Sequence, residues 1–118
     1  MSVDTTPRAA LSELHPATHE FVLGLYRIGV VRFGQFRLAF HEKKPNAPPS
    51  PIYIDLRRVQ SDPEVRDIAI ACLQRAVEYH ARVSDTPEQD AICGIPHGAT
   101  PFAAILAHRL GMPLISLR

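Results

Sequence analysis

Apolar and polar positions along this chain change period several times, and each change marks an element. Phe21, Val22, Leu25 and Tyr26 can share one helical face, which predicts a helix from about Ala17 to Tyr26 with Gly29 placed to stop it. In VVRFGQFRLAF the period drops to two. Phe36, Leu38 and Phe40 alternate with polar or small residues, which predicts a half-buried strand, and Gly34 permits a bulge or a close backbone approach. HEKKPNAPPS then reads as a loop, because Pro45, Pro48 and Pro49 have no backbone donor to give to a sheet. IYIDL is a second strand, near enough to the first to pair with it as a long-looped antiparallel hairpin.

The second half follows a different rhythm. SDPEV is a helix start: Ser61 or Asp62 caps, Pro63 fits the first turn, and Glu64 complements the positive helix end. The helix is predicted from about Pro63 to Ala81, with Val65, Ile68, Ala69, Cys72, Leu73, Ala76 and Val77 as its apolar stripe. VSDTPEQD is a linker, AICGI a short strand, and a further helix runs from about Thr100 to Arg109 until Gly111 ends it. PLISL is the last strand. A strand–helix–strand unit with short links implies a parallel pair. The fold class is therefore α/β, preceded by a hairpin of another kind. We expect one partial domain over 1–118, with helix and hairpin in 1–60 and the α/β portion in 61–118. Two short parallel strands make a thin core, so the domain reads as unfinished. The first 14 residues are mixed in character and are expected to be loose.

Composition narrows the function classes. At 118 residues, 46% hydrophobic and 21% charged, the chain is that of an ordinary globular protein. Thirteen Lys and Arg against twelve Asp and Glu leave a net charge of +1, so no global basic field argues for nucleic acid. No apolar run approaches the roughly 20 residues of a membrane span, and the start lacks a signal-peptide core, so a cytoplasmic protein is expected. Cys72 and Cys93 form no Cys-x-x-Cys pair. Cys93, inside an apolar run, is expected in the core. His15, His19, His41, His80 and His108 show no metal-ligand spacing, and Lys43 and Lys44 are expected to be solvated.

Two segments can carry chemistry. In ICGIPHGATPFA a strand ends near Gly94, a loop of Pro96, His97, Gly98 and Ala99 follows, and a helix starts near Thr100. Ligands collect at the C-terminal ends of strands in open α/β sheets, and loop N–H groups there can converge on an anion. A plain strand-to-helix turn fits the same residues. In SPIYIDLR, Tyr53 and Asp55 share one strand face, with Ile52, Ile54 and Leu56 on the other. Tyr53 can stack on a flat heterocycle and Arg57 can grip a carboxylate or phosphate. The alternative is an edge strand with a packed tyrosine and a surface ion pair. Neither a P-loop nor a Gly-x-Ser-x-Gly elbow is present.

Taken in order, FGQFRL, SPIYIDLR, ICGIPHGATPFA and PLISLR resemble the N-terminal half of the orotate phosphoribosyltransferases. The resemblance covers about Phe33 to Arg118, and its weight lies in the joint order and spacing of the motifs. It implies the type I phosphoribosyltransferase fold, incomplete here. The helix and β-hairpin would form a hood ahead of the parallel sheet. It also implies transfer of phosphoribosyl from 5-phosphoribosyl 1-diphosphate to orotate, giving orotidine 5′-monophosphate and pyrophosphate, with magnesium as cofactor and a homodimer as assembly. By this likeness Phe33, Phe36 and Tyr53 would line the orotate pocket. His97 and Gly98 would lie on the pyrophosphate loop, and Arg118 would reach the diphosphate.

Three departures accompany the likeness. Ala39 stands where the family carries a lysine. Phe40-His41 replaces Ser-Gly, followed by the longer loop HEKKPNAPPS, where Lys43 or Lys44 is a candidate substitute. No adjacent acidic pair of the kind that grips the ribose hydroxyls occurs in these 118 residues. The chain alone is therefore expected to be inactive. A non-catalytic relative that binds a pyrimidine, a nucleotide or a phosphate, or an interaction module, is the rival expectation.

Overall fold

The computed structural model describes residues 15–85 and 88–117. Helix α1 spans Pro16–Arg27 and strand β1 spans Val31–Phe36. A 3-10 turn over Ala39–Glu42 leads into the loop before β2, Ser50–Ile54. A second 3-10 turn, Leu56–Ser61, feeds helix α2, Pro63–Val83. Strand β3 (Ile92–Cys93), helix α3 (Thr100–Leu110) and strand β4 (Leu114–Ile115) complete the order. The architecture is α/β as expected, with an antiparallel β1–β2 hairpin and a parallel β3–β4 pair.

Local chemistry accounts for the helix ends. The Asp62 carboxylate accepts from the Val65 N–H at 2.9 Å, so Asp62 rather than Ser61 caps α2, and Pro63 occupies its first turn. His15 caps α1 through Nδ1, which accepts from the Ala17 N–H at 3.0 Å. Gly29 (φ 74°) and Gly111 (φ 64°) adopt the left-handed conformation that ends α1 and α3.

The core joins both halves of the sequence. Val30 and Val59 pack with Val65 and Ala69, and Phe21, Leu25, Ile28, Val31 and Phe102 close around them. Helix α2 is buried on more than one side. Val65 and Ala69 belong to that cluster, whereas Ile70, also fully buried, lies off the stripe read from the sequence. Helix α3 packs on α2 and buries Ala103, Leu106 and Ala107. Leu73 (42% exposed) and Ala76 of the expected stripe are left partly open to solvent.

Helices α1 and α2 approach closely at Gly24, where an added Cβ would stand 3.0 Å from Val65 Cγ2. Val65 is fully buried and has little room to yield. Gly24→Leu is therefore expected to destabilise by about 1–3 kcal/mol through overpacking. Gly24→Ala should sit near neutral, because the helix propensity gained, about 1 kcal/mol, offsets a smaller clash. Urea midpoints of the two variants check this; a Leu variant as stable as the parent would refute the close packing.

Three expectations need correction. The strand read through Phe40 stops at Phe36, because Ala39–Glu42 turns into a 3-10 helix. The strand read as PLISL pairs only at Leu114 and Ile115, since β3 offers it two residues. Cys93 is exposed. A two-stranded ladder packed on α3 leaves its other face uncovered, and Cys93 and Ile115, which pair and share a face, are both exposed.

Candidate functional site

The hairpin sorts its aromatic residues onto two faces. Arg32 lies opposite Tyr53 and Phe33 opposite Ile52, so strand alternation puts Tyr53 and Phe33 on different faces. Between Phe33 and Phe36 the register shifts, the irregularity that Gly34 permits. Phe36 and Tyr53 come together with ring centroids 5.6 Å apart, and the Arg32 guanidinium stands 6.0 Å from the Tyr53 centroid. Phe33 instead stacks on Tyr26 of α1 at 6.4 Å and is 70% exposed. Of the three residues placed by resemblance on a base pocket, the structure thus brings two together and sets the third on the far face.

The excursion between the strands is held shut by side chains. The Arg37 guanidinium donates to the Pro45 carbonyl at 2.9 Å and the Ala47 carbonyl at 3.5 Å. His41 is the one buried polar side chain among the described residues. Its Nδ1 accepts from the Leu38 N–H at 2.8 Å, so the ring proton sits on Nε2, which donates to the Pro48 carbonyl at 2.9 Å. Sequence reasoning missed this role, because both partners are backbone groups. Ala39 is exposed in a cleft of about 310 Å³ whose other walls are Arg37, Leu38, His41 and Glu42. Lys43 and Lys44 project into solvent.

The β3–α3 connection is a tight loop. An added Cβ on Gly94 would stand 2.8 Å from both Ala103 Cβ and the Ala99 carbonyl oxygen, so the strand end and the first turn of α3 press together there. The Ala103 N–H donates to Ala99 O at 2.9 Å and the Thr100 N–H to His97 O at 3.3 Å. Helix α3 starts at Ala99 without a side-chain cap. The peptide between Pro96 and His97 is cis. His97 and Gly98 are both exposed, and nothing stands within 4 Å of a Cβ built on Gly98.

One hydrogen bond ties these regions together: the Gln60 amide donates to the Gly98 carbonyl at 3.2 Å. Gln60 belongs to the turn directly after β2, and its own carbonyl accepts from the Arg66 guanidinium at 3.0 Å. A cleft of about 530 Å³ opens beside that turn, lined by Tyr53, Asp55, Arg57, Arg58 and Ser61 together with the apolar Ile54 and Leu56. Arg118 lies outside the described residues. Among those described, no group of His, Cys, Asp or Glu is placed to hold a metal ion. No helix is long and apolar enough to cross a membrane.

Comparison with known proteins places the chain. No family model matches it. It is 35% identical over 91 residues to the orotate phosphoribosyltransferase of Pyrobaculum islandicum, covering 77% of this chain and 40% of that enzyme. Its fold is similar to the crystal structure of orotate phosphoribosyltransferase from Aeropyrum pernix, with a TM-score of 0.62 and 30% identity over 83% of this chain and 52% of the other. It is also similar to Leishmania donovani UMP synthase, with a TM-score of 0.56 and 31% identity over 82% of this chain and 19% of that one. The chain thus spans about two fifths of the length of the curated orotate phosphoribosyltransferases it matches.

Proposed function

We propose, from the premise that this chain is kin in sequence and fold to the N-terminal region of orotate phosphoribosyltransferases, that it serves phosphoribosyl transfer between 5-phosphoribosyl 1-diphosphate and orotate. In that reading the Phe36–Tyr53 face meets the flat pyrimidine, and the loop of His97 and Gly98 meets the diphosphate. The cleaved bond joins the anomeric carbon to the diphosphate oxygen. Negative charge grows on the leaving group, where the positive end of the α3 helix dipole has the right sign to receive it. Magnesium enters this reading by resemblance only, bound with the diphosphate substrate. A homodimer in the cytoplasm completes the reading, on kinship alone.

The observation that supports it best is the Gln60–Gly98 bond, because it couples the base-facing hairpin to the glycine loop across 38 residues of sequence. A second reading, ligand binding without catalysis, is favoured by Ala39, which removes the cation that the family carries beside orotate. Calorimetric titration of the chain with orotidine 5′-monophosphate, with and without magnesium, tests both. Stoichiometric binding is expected, strengthened by magnesium only when pyrophosphate is added as well. A folded chain that takes up no nucleotide under either condition would overturn both readings.

A further inference from the structure

We propose that the cleft beside the Leu56–Ser61 turn is a phosphate-binding subsite in its own right, with Arg57 as its anion-binding residue. It lies apart from the pairs Phe36–Tyr53 and His97–Gly98 used above, touching the first only through Tyr53. The case starts from charge. Of the three charged side chains on the cleft wall, Asp55 and Arg58 neutralise each other at 3.5 Å. Arg57 has no ion pair among the described residues and is exposed, so the cleft carries one uncompensated positive charge.

The backbone that presents Arg57 is fixed on both sides. The Asp55 N–H donates to the Val30 carbonyl at 2.9 Å, and the Arg58 N–H to the Asp55 carbonyl at 3.3 Å. Val59, next in the turn, is 2% exposed and belongs to the core. Gln60 is held at its carbonyl by Arg66 and through its amide to Gly98. A side chain on so constrained a turn loses less freedom on binding than one on a free loop, which favours affinity.

The donor set points to phosphate rather than to a carboxylate. A guanidinium fork engages two oxygens of an anion, and the Ser61 hydroxyl on the same wall can donate to a third, which a carboxylate lacks. The cleft, at about 530 Å³, is larger than a lone phosphate requires. Its Tyr53 wall suits a ring attached to that phosphate. The phosphate could belong to a nucleotide, a sugar phosphate or the free ion, and the measurement separates these sources.

The test is amide chemical-shift titration of the whole chain with inorganic phosphate, ribose 5-phosphate and orotidine 5′-monophosphate in parallel. All three are expected to move the amides of residues 55–61 and to saturate. The nucleotide alone should extend the shifts to Tyr53. Arg57→Ala should weaken inorganic phosphate about tenfold or more, Arg57→Lys less, and Ser61→Ala by a few-fold. Arg27→Ala, a surface arginine paired with Glu64 elsewhere, is the control and should change nothing. Equal weakening by Arg27→Ala would mean diffuse charge and overturn the site, as would unaltered binding in Arg57→Ala. Shifts of residues 94–100 with none at 55–61 would also overturn it, while leaving the transfer reading standing. Failure of that reading appears separately, in a fourth titration with orotate that leaves Phe36 and Tyr53 unmoved.

Discussion

Gly94→Ala is expected to destabilise the chain by about 1–3 kcal/mol, and Gly94→Val by more, while Gly98→Ala stays within about 0.5 kcal/mol of the parent. The two glycines look alike in the sequence, four residues apart in one loop, yet they face different surroundings. A methyl group on Gly94 meets Ala103 Cβ and the Ala99 carbonyl oxygen, each at 2.8 Å, and the Ala99 carbonyl carbon at 3.0 Å. Two of these three atoms are backbone and cannot rotate away. The Ala99 carbonyl also receives the Ala103 N–H, so moving it frays the first turn of α3. A methyl group on Gly98 meets nothing within 4 Å.

Thermal midpoints of the three variants give the energies. Exchange protection of the Gln60 side-chain amide reports whether the loop still reaches the hairpin. In Gly94→Ala that protection should fall together with the midpoint, since displacement of Ala99 carries Gly98 with it. In Gly98→Ala both should hold. Equal losses at the two positions would refute the close approach as the reason for Gly94.

How much of this was legible beforehand differs by kind of interaction. Helix α2 was readable because its start rests on side chains with fixed chemistry, an aspartate followed by a proline and a glutamate, and the cap appears at Asp62. The antiparallel hairpin and the parallel pair were readable from period and spacing. Ile70 was not, because a stripe argument assumes one covered face, and α2 is covered from two directions. Cys93 was misplaced for the opposite reason. Its neighbours are apolar, but burial depends on what lies over a strand, and the β3–β4 pair has cover on one side. The candidate site shows the same division. The motifs singled out two segments, but the bulge after Phe33 and the strand alternation decided which aromatic rings meet, and the residue that couples the two segments, Gln60, carries no motif at all.

The residue with the largest effect that no motif announced is His41. Replacing it with Ala is expected to cost roughly 2–4 kcal/mol, from two lost hydrogen bonds and from backbone groups left without partners in a buried place. The geometry allows the two bonds to be separated. An Asn at this position sets its amide oxygen near where Nδ1 stands and can still accept from Leu38. A Gln sets its NH₂ near Nε2 and can still donate to the Pro48 carbonyl. Each should recover part of the loss, and by different routes. Amide exchange at Leu38 should stay slow in His41→Asn and become fast in His41→Gln and His41→Ala. Arg37, which grips Pro45 and Ala47, would then hold the far end of the excursion alone. The Ala39 cleft, walled by Arg37 and His41 together, should therefore lose its shape in the Ala variant. This bears on the proposed function because Ala39 in that cleft stands, by the resemblance, where the family carries a lysine. If the clasp matters for ligands, orotidine 5′-monophosphate binding should weaken in the order Asn or Gln, then Ala. An Ala variant with the parent's midpoint and slow exchange at Leu38 would show that the clasp contributes nothing to holding the loop.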